Sequence, residues 1–286
     1  MTVAFVLSGG ASLGAVQVGM AKALESEDIR PDLIIGTSVG AINGGWLAGG
    51  GGADELEHIW RSLRRSDLFP MRPVHGLRAF TGRAPNLVPN ARLRRLLTRH
   101  LRFARLEDAA VPLTVVAADA QSGREVLLRE GPAIDSILAS AALPAVFPPV
   151  LVGERLLIDG GVVNNTPIST AIDSGATEVW VLSTGYSCGL PAPPTTAVSM
   201  AMHAVALLVQ QRLVLETRSR TYAVPVHLVP PPCPISVTPT DFSHTDELID
   251  RAEAGTRQWL GNGRPHALPL LPDAHARVHH HDHHPN

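Results

Sequence analysis

Gly36-Thr37-Ser38-Val39-Gly40 follows the apolar stretch "DLII" and sets a serine between two glycines. G-x-S-x-G at a strand-to-helix turn is the arrangement that makes a serine hydroxyl an acyl-transfer nucleophile. Gly36 and Gly40 admit the strained backbone and close neighbours of such a turn, and a helix N-terminus at Ser38 favours developing negative charge. A serine hydroxyl is a weak nucleophile at neutral pH, so a proton acceptor has to be found. Two carboxylates stand at the ends of apolar strands. Asp119 closes "PLTVVAADA", and Asp159 closes "LLIDGG", where Gly160 and Gly161 let the chain turn tightly beside it. A desolvated carboxylate gains proton affinity and can act as a general base directly; turn or cap duty is the alternative for either acid. A histidine after the acid would instead give the order Ser, Asp, His of an α/β-hydrolase. His203 falls inside a predicted helix, His227 within a strand, His244 at a helix start and His266 in the approach to the tail, so none sits in a loop that returns to Ser38.

The nucleophile also needs donors for the oxyanion. Gly9-Gly10-Ala11-Ser12-Leu13-Gly14 follows the first apolar strand. It misses the dinucleotide pattern G-x-G-x-x-G because its third residue is Ala11, and Asp32 precedes its strand instead of ending it. A loop of small residues whose N–H groups cross a parallel sheet toward Ser38 suits an oxyanion hole, each donor being worth about 3 kcal/mol in the transition state. Gly9, Gly10, Ala11 and Gly14 are its candidate members.

The elements that must position these groups are legible from hydrophobic period. "VAFVL" then the glycine loop then a helix from Gly14 to Glu25, and "DLIIG" then the serine turn then a helix to the glycine string at 49–52, are two successive strand-loop-helix units. Such repetition implies a parallel sheet with crossover helices. Residues 54–108 carry mainly helical patterns around a Pro- and Gly-rich loop. "PLTVVAADA", "EVLLRE", "RLLIDGG", "EVWVLST" and "VPVHLVPP" read as strands; "AIDSILASAAL", the stretch from Thr195 to Ala223, and "HTDELIDRAEAGTRQWL" read as helices. His244-Thr245 ahead of Asp246 and Glu247 suits a capped helix start. The Pro- and His-rich residues 261–286 read as a disordered tail.

Composition sets limits on partners. With 286 residues and 45% apolar content the chain can bury one large core. A formal net charge of -2 leaves no global reason to expect nucleic acid. Arginines do cluster, from Arg61 to Arg83 and from Arg92 to Arg105; they read as solvated helix faces or as attraction to anionic head groups, at about 1 kcal/mol each near the surface. Cys188 and Cys233 are too few for a disulfide scaffold and fit a reducing compartment. The uncharged first segment lacks a basic leader and is broken by "SGGAS", so neither a signal peptide nor a membrane span is expected, and no other stretch reaches about 20 apolar residues. The expectation is a cytoplasmic protein with peripheral membrane contact at most.

The motifs "LSGGASLGAVQVGMAKAL", "GTSVGAING", "ASAALPAVFPPV" and "LIDGGVVNNTPI", in that order, resemble the patatin-like phospholipases, especially small bacterial members, over residues 3–185. The resemblance implies a three-layer α/β/α fold with a mainly parallel central sheet, forming one lipid acyl hydrolase domain over 1–260 with 54–108 as an insertion. It implies a Ser-Asp dyad without histidine, mapped onto Ser38 and Asp159, an oxyanion motif at residues 9–14, a lipid or ester substrate, and neither metal nor cofactor. The chain departs from the family at Ala11, where a glycine is usual, and at Leu13, where a basic residue is usual. Donors survive a glycine-to-alanine change if φ at Ala11 is negative. A Ser-His-Asp esterase and a lipid-binding regulator with an impaired site are the alternatives.

Overall fold

A computed structural model describes residues 1–68, 88–185 and 222–263, except 234, 236 and 238–240, together with 195, 200, 204, 207, 208 and 213. The two predicted strand-loop-helix units are present as β1 (Val3–Leu7), α1 (Gly14–Ser26), β2 (Leu33–Thr37) and α2 (Val39–Ala48). Then come α3 (Ala53–Ser62), α4 (Arg65–Leu68), α5 (Ala91–His100), β3 (Leu113–Asp119), β4 (Glu125–Leu128) and α6 (Ala133–Ser140). The chain continues with β5 (Val150–Val152), β6 (Arg155–Asp159), α7 (Ile168–Asp173), β7 (Glu178–Leu182), β8 (Val226–Val229) and α8 (Thr245–Gly261).

All eight strands join one sheet, whose hydrogen-bonded path runs β5-β6-β3-β2-β1-β7-β8 with β4 also on β3. From β3 to β8 the pairing is parallel, as the crossover units require. β4, β5 and β6 are antiparallel additions at one side. The strand residues alternate between two cores, which is why they read as continuous apolar runs. Phe5, Leu7, Ile34, Val115, Trp180 and Leu182 join the larger core with α1, α2, α3, α5, α6 and α8. Ala4, Val6, Ile35, Val116, Val179 and Val181 face the smaller one with Ile168 and Ala171 of α7 and with Leu213. Helices therefore cover both faces of the sheet, in the three-layer α/β/α order expected.

The helices within 54–108 share the larger core through Leu56, Ile59, Trp60, Leu93 and Leu97. α8 packs along α1 so closely that a Cβ at Gly19 would strike the Ile249 carbonyl oxygen. Lys22 of α1 meets Glu57 of α3 at 2.6 Å and Glu253 of α8 at 3.0 Å, and Arg61 joins Glu57 to Asp246 and Asp250, so three helices share one ion network.

Some expectations change. α8 has no side-chain cap hydrogen bond; His244 Nδ1 lies 3.1 Å from Glu247 Oε2, and Thr245 Oγ1 donates to the Phe242 carbonyl. Cys233 is disulfide-bonded, so the cysteine count is no argument for a reducing compartment. Most of the helix expected over 195–223, and the tail from 264 on, lie outside the described residues. Among the described residues no helix is long and apolar enough to cross a membrane.

Candidate active site

Ser38 stands between the last residue of β2 and the first of α2 at φ 56°, ψ −124°, a conformation that L residues rarely adopt. Such a backbone costs roughly 1–3 kcal/mol and persists only where its surroundings over-determine it. Here they do. A Cβ at Gly40 would collide with the Leu7 carbonyl, so only glycine lets α2 start against β1. Thr37 Oγ1 donates to the Asn164 carbonyl at 2.9 Å, fixing the residue before the serine. The Ser38 N–H donates to Ser140 Oγ at 2.8 Å, and that hydroxyl donates to the Val116 carbonyl at 2.5 Å. Ser140, buried at the end of α6, thus holds the turn to the neighbouring strand.

Sheet register delivers the acid. Thr37 pairs with Val116, and Asp159 pairs with Ala117, the next residue of β3. The other edge of β3 at Val116 and Ala117 is taken by β4, through Leu127 and Val126. β2 and β6 therefore occupy the same edge of β3 and meet end to end, from opposite directions, at the serine. Ser38 Oγ donates to Asp159 Oδ2 at 2.6 Å. Asp159 is 3% exposed. Burial pushes its carboxyl up to about 6, with the hydrogen bonds from Ser38 and from the Gly161 N–H pulling back. That N–H, at 2.7 Å from Oδ1, orients the carboxylate as Gly160 and Gly161 turn the chain away.

The glycine loop lies alongside. The Gly9 N–H is engaged by the Asn165 carbonyl at 3.3 Å, and the Gly9 carbonyl accepts from Thr184 Oγ1 at 2.6 Å. Gly14 opens α1 in a fully buried position against Val39 and Trp60. The N–H groups of Gly10 and Ala11 enter none of the hydrogen bonds among the described residues. Ala11 has φ 51°, so the condition of a negative φ is not met, and the departure from glycine is carried as backbone strain of about 1–2 kcal/mol while the N–H itself is retained. A buried polar chain supports both ends of the loop. Gln17 Nε2 donates to the Ser8 carbonyl at 2.8 Å and the Leu182 carbonyl at 3.0 Å. Asn43 Nδ2 donates to the Gly14 carbonyl at 3.0 Å and Gln17 Oε1 at 2.8 Å, and Trp60 Nε1 donates to Asn43 Oδ1 at 2.8 Å. Gln17, Asn43, Ser140 and Thr184 went unread in the sequence, although a polar side chain inside an apolar helical run is a visible signal.

The rival bases lie elsewhere. Asp119 accepts from the N–H groups of Gln121 and Ser122 and is held below the usual carboxylate range by the Ser122 N–H and hydroxyl, then by Gln121, which is the work of a turn residue. His227 stacks on Trp180 at 4.3 Å and meets Glu178 at 2.9 Å on β8; β8 is three strands from β2, about 14 Å at the usual spacing. His244 is at the surface beside Glu247. His203 and His266 lie outside the described residues. Among the described residues no three His, Cys, Asp or Glu side chains form a metal-ligand group.

Ser38 opens onto a cleft, about 600 Å³ with the solvent at its open mouth included, whose other walls are Ala11, Val39, Ile42, Trp46, Trp60, Leu63, Leu93, Leu96, Ala141, Leu143, Phe147 and Phe242. α2, α3 and α5 supply half of these side chains, and Ala141, Leu143 and Phe147 follow the end of α6. Such a wall accommodates a chain of methylene groups and offers a charged group nothing.

Similarity to known proteins follows the same residues. Patatin-like phospholipase domain-containing protein 6 of Mus musculus is 30% identical over 191 residues, 64% of this chain and 14% of that protein. An uncharacterized NTE family protein of Mycobacterium bovis is 30% identical over 167 residues, 58% of this chain and 44% of that protein. The chain thus spans less than half the length of these curated relatives. The crystal structure of VipD from Legionella pneumophila shares the fold, with a TM-score of 0.56 at 14% identity over 91% of this chain and 66% of that one. The family description "Patatin-like phospholipase" matches residues 5–172, which hold the glycine loop, the serine turn and the strand-end aspartate, and the chain belongs to that family.

Proposed function

We propose that this protein is a serine acyl hydrolase that cleaves carboxylic ester bonds of phospholipids or related lipids through Ser38, Asp159 and an acyl-enzyme. The observation that carries this reading is the 2.6 Å hydrogen bond from the strained Ser38 to a carboxylate buried to 3% exposure. Asp159 takes the Ser38 proton as Oγ adds to the ester carbonyl. The N–H groups of Gly10 and Ala11 hold the resulting oxyanion. The tetrahedral intermediate collapses to acyl-Ser38 as the proton passes from Asp159 to the leaving alkoxide. Asp159 then accepts a proton from the water that attacks the acyl group, and returns it to Ser38 Oγ as the second tetrahedral intermediate collapses and the fatty acid is released. The apolar cleft beside Ser38 holds the acyl chain, and the lipid is reached by peripheral contact.

The test is hydrolysis of p-nitrophenyl esters together with labelling by a fluorophosphonate probe. Ser38→Ala abolishes both. Asp159→Asn, which keeps the shape and removes the basicity, lowers kcat by at least about 10³-fold. Undiminished turnover in Asp159→Asn overturns the dyad, and failure of folded wild-type protein to hydrolyse or label overturns the enzyme reading in favour of lipid binding alone.

A further inference from the structure

Trp46 lines the cleft about two helical turns along α2 from the nucleophile. Val39, Ile42 and Trp46, at i, i+3 and i+7 of α2, form one stripe of cleft wall that starts beside Ser38. Eight residues of helix separate Ser38 from Trp46, roughly 12 Å. On its other side Trp46 lines a shallow surface depression, with room for about one water molecule, together with Gly52, Glu55, Ile59, His100 and Arg102. That depression has a polar border, where Arg102 meets Glu55 at 2.6 Å with both side chains about half exposed. The indole is thus a partition between an apolar cleft and an outer, more polar space, with His100 edge-on to it at 6.2 Å. Trp60 is anchored to Asn43 by its ring N–H, whereas Trp46 Nε1 is buried with no hydrogen-bond partner among the described residues. Packing alone holds Trp46, so its truncation strands no acceptor.

We propose that Trp46 closes the acyl cleft and sets the length of acyl chain that this enzyme prefers. The proposal rests on the acyl hydrolase reading above. At about 1.25 Å of advance per methylene, from C–C bonds of about 1.5 Å, the distance to Trp46 corresponds to an acyl group of roughly ten carbons. Longer chains must bend out of the cleft and leave their ends in water. Removing the indole frees its own volume at that point of the cleft and opens the wall toward the depression, and each methylene newly buried raises kcat/KM about fourfold.

The experiment measures kcat/KM across p-nitrophenyl esters from butanoyl to palmitoyl for wild type, Trp46→Ala and Ile42→Trp. Trp46→Ala raises the palmitoyl-to-octanoyl ratio at least tenfold. Ile42→Trp, which brings an indole one helical turn nearer Ser38, moves the optimum to shorter chains. If Trp46→Ala melts below assay temperature, Trp46→Leu takes its place. Calorimetric binding of octanoate and palmitate in a Ser38→Ala background gives a second readout that needs no turnover, and there Trp46→Ala raises relative palmitate affinity by a similar factor. An unchanged chain-length profile in both positions, or a shift in the same direction for both, overturns the proposal. Absence of hydrolysis in folded wild type with an altered binding profile overturns the catalytic reading and leaves the partition standing.

Discussion

Asp159 carries two demands that pull against each other. As a base it must be ionised, and as a buried group it is destabilised when ionised. Its pKa of about 6 against a usual 3.8 is the measure of that conflict. Activity should therefore fall on acidification with a single ionisation near 6 in the kcat/KM profile, and a midpoint near 4 would mean a solvated carboxylate. The sign for stability follows from proton linkage. A group whose folded pKa is raised favours folding fully below its unfolded pKa, and the contribution is lost as pH rises through about 6. Asp159→Asn has no such ionisation, so it should be more stable than wild type at pH 8, by up to about 3 kcal/mol, and show no such advantage at pH 4. Urea melts at the two pH values read this directly; an equal difference at both would sink it. The serine motif and the strand-end acid were legible in the sequence because their neighbours are constrained: Gly40 cannot carry a Cβ, and "LIDGG" ends a buried strand. The sign of φ at Ala11 was not legible, because a short loop's dihedrals depend on Thr184 and Asn165, which contact it from more than 150 residues away.

At the level of elements, the site is a meeting of three ends: the end of β2, the end of β6 and the C-terminal turn of α6. The first two were readable from apolar runs. β5, only three residues long, was not, and without it the hairpin that carries Asp159 has no visible partner in the sequence. The third end shows in how Ser140 bridges the Ser38 N–H and the Val116 carbonyl. Ser140→Ala leaves a buried donor and a buried acceptor unpaired, each costing about 1–3 kcal/mol. Because Ser140 positions the turn without touching the cleft, kcat should fall while KM for a short ester changes little, and Ser140→Thr, which keeps the hydroxyl, should restore part of the rate. Equal stability loss in Ser140→Ala and Ser140→Thr with kcat intact in both would make the residue a packing element only.

Over the whole molecule, α3, which contributes to the cleft wall, is tied to α1 and α8 by side chains from distant parts of the chain. Glu57 is the hub, facing both Lys22 and Arg61, while Arg61 reaches Asp246 and Asp250. Isolated surface pairs contribute little, but the Glu57 side chain is only 17% exposed and is shared between two cations. Glu57→Ala should destabilise by about 1–3 kcal/mol and reduce the salt dependence of the melting temperature; a loss under about 0.5 kcal/mol at low salt would show that α3 is held by Leu56, Ile59 and Trp60 alone. The net charge of -2 and the helical patterns of 54–108 were plain in the sequence, but the network was not, since ion pairs between residues 22, 57 and 253 have no local signature.

β1 has one more consequence. It is hydrogen-bonded on one side to a strand that begins at residue 33 and on the other to one that begins at residue 178. During synthesis the apolar ribbon from Val3 to Leu7 keeps a bare edge until nearly two thirds of the polypeptide has left the ribosome, the interval in which such an edge invites pairing with foreign strands. Translational pausing while residues 178–182 are still inside the ribosome should therefore favour aggregation of nascent protein far more than pausing once they have emerged.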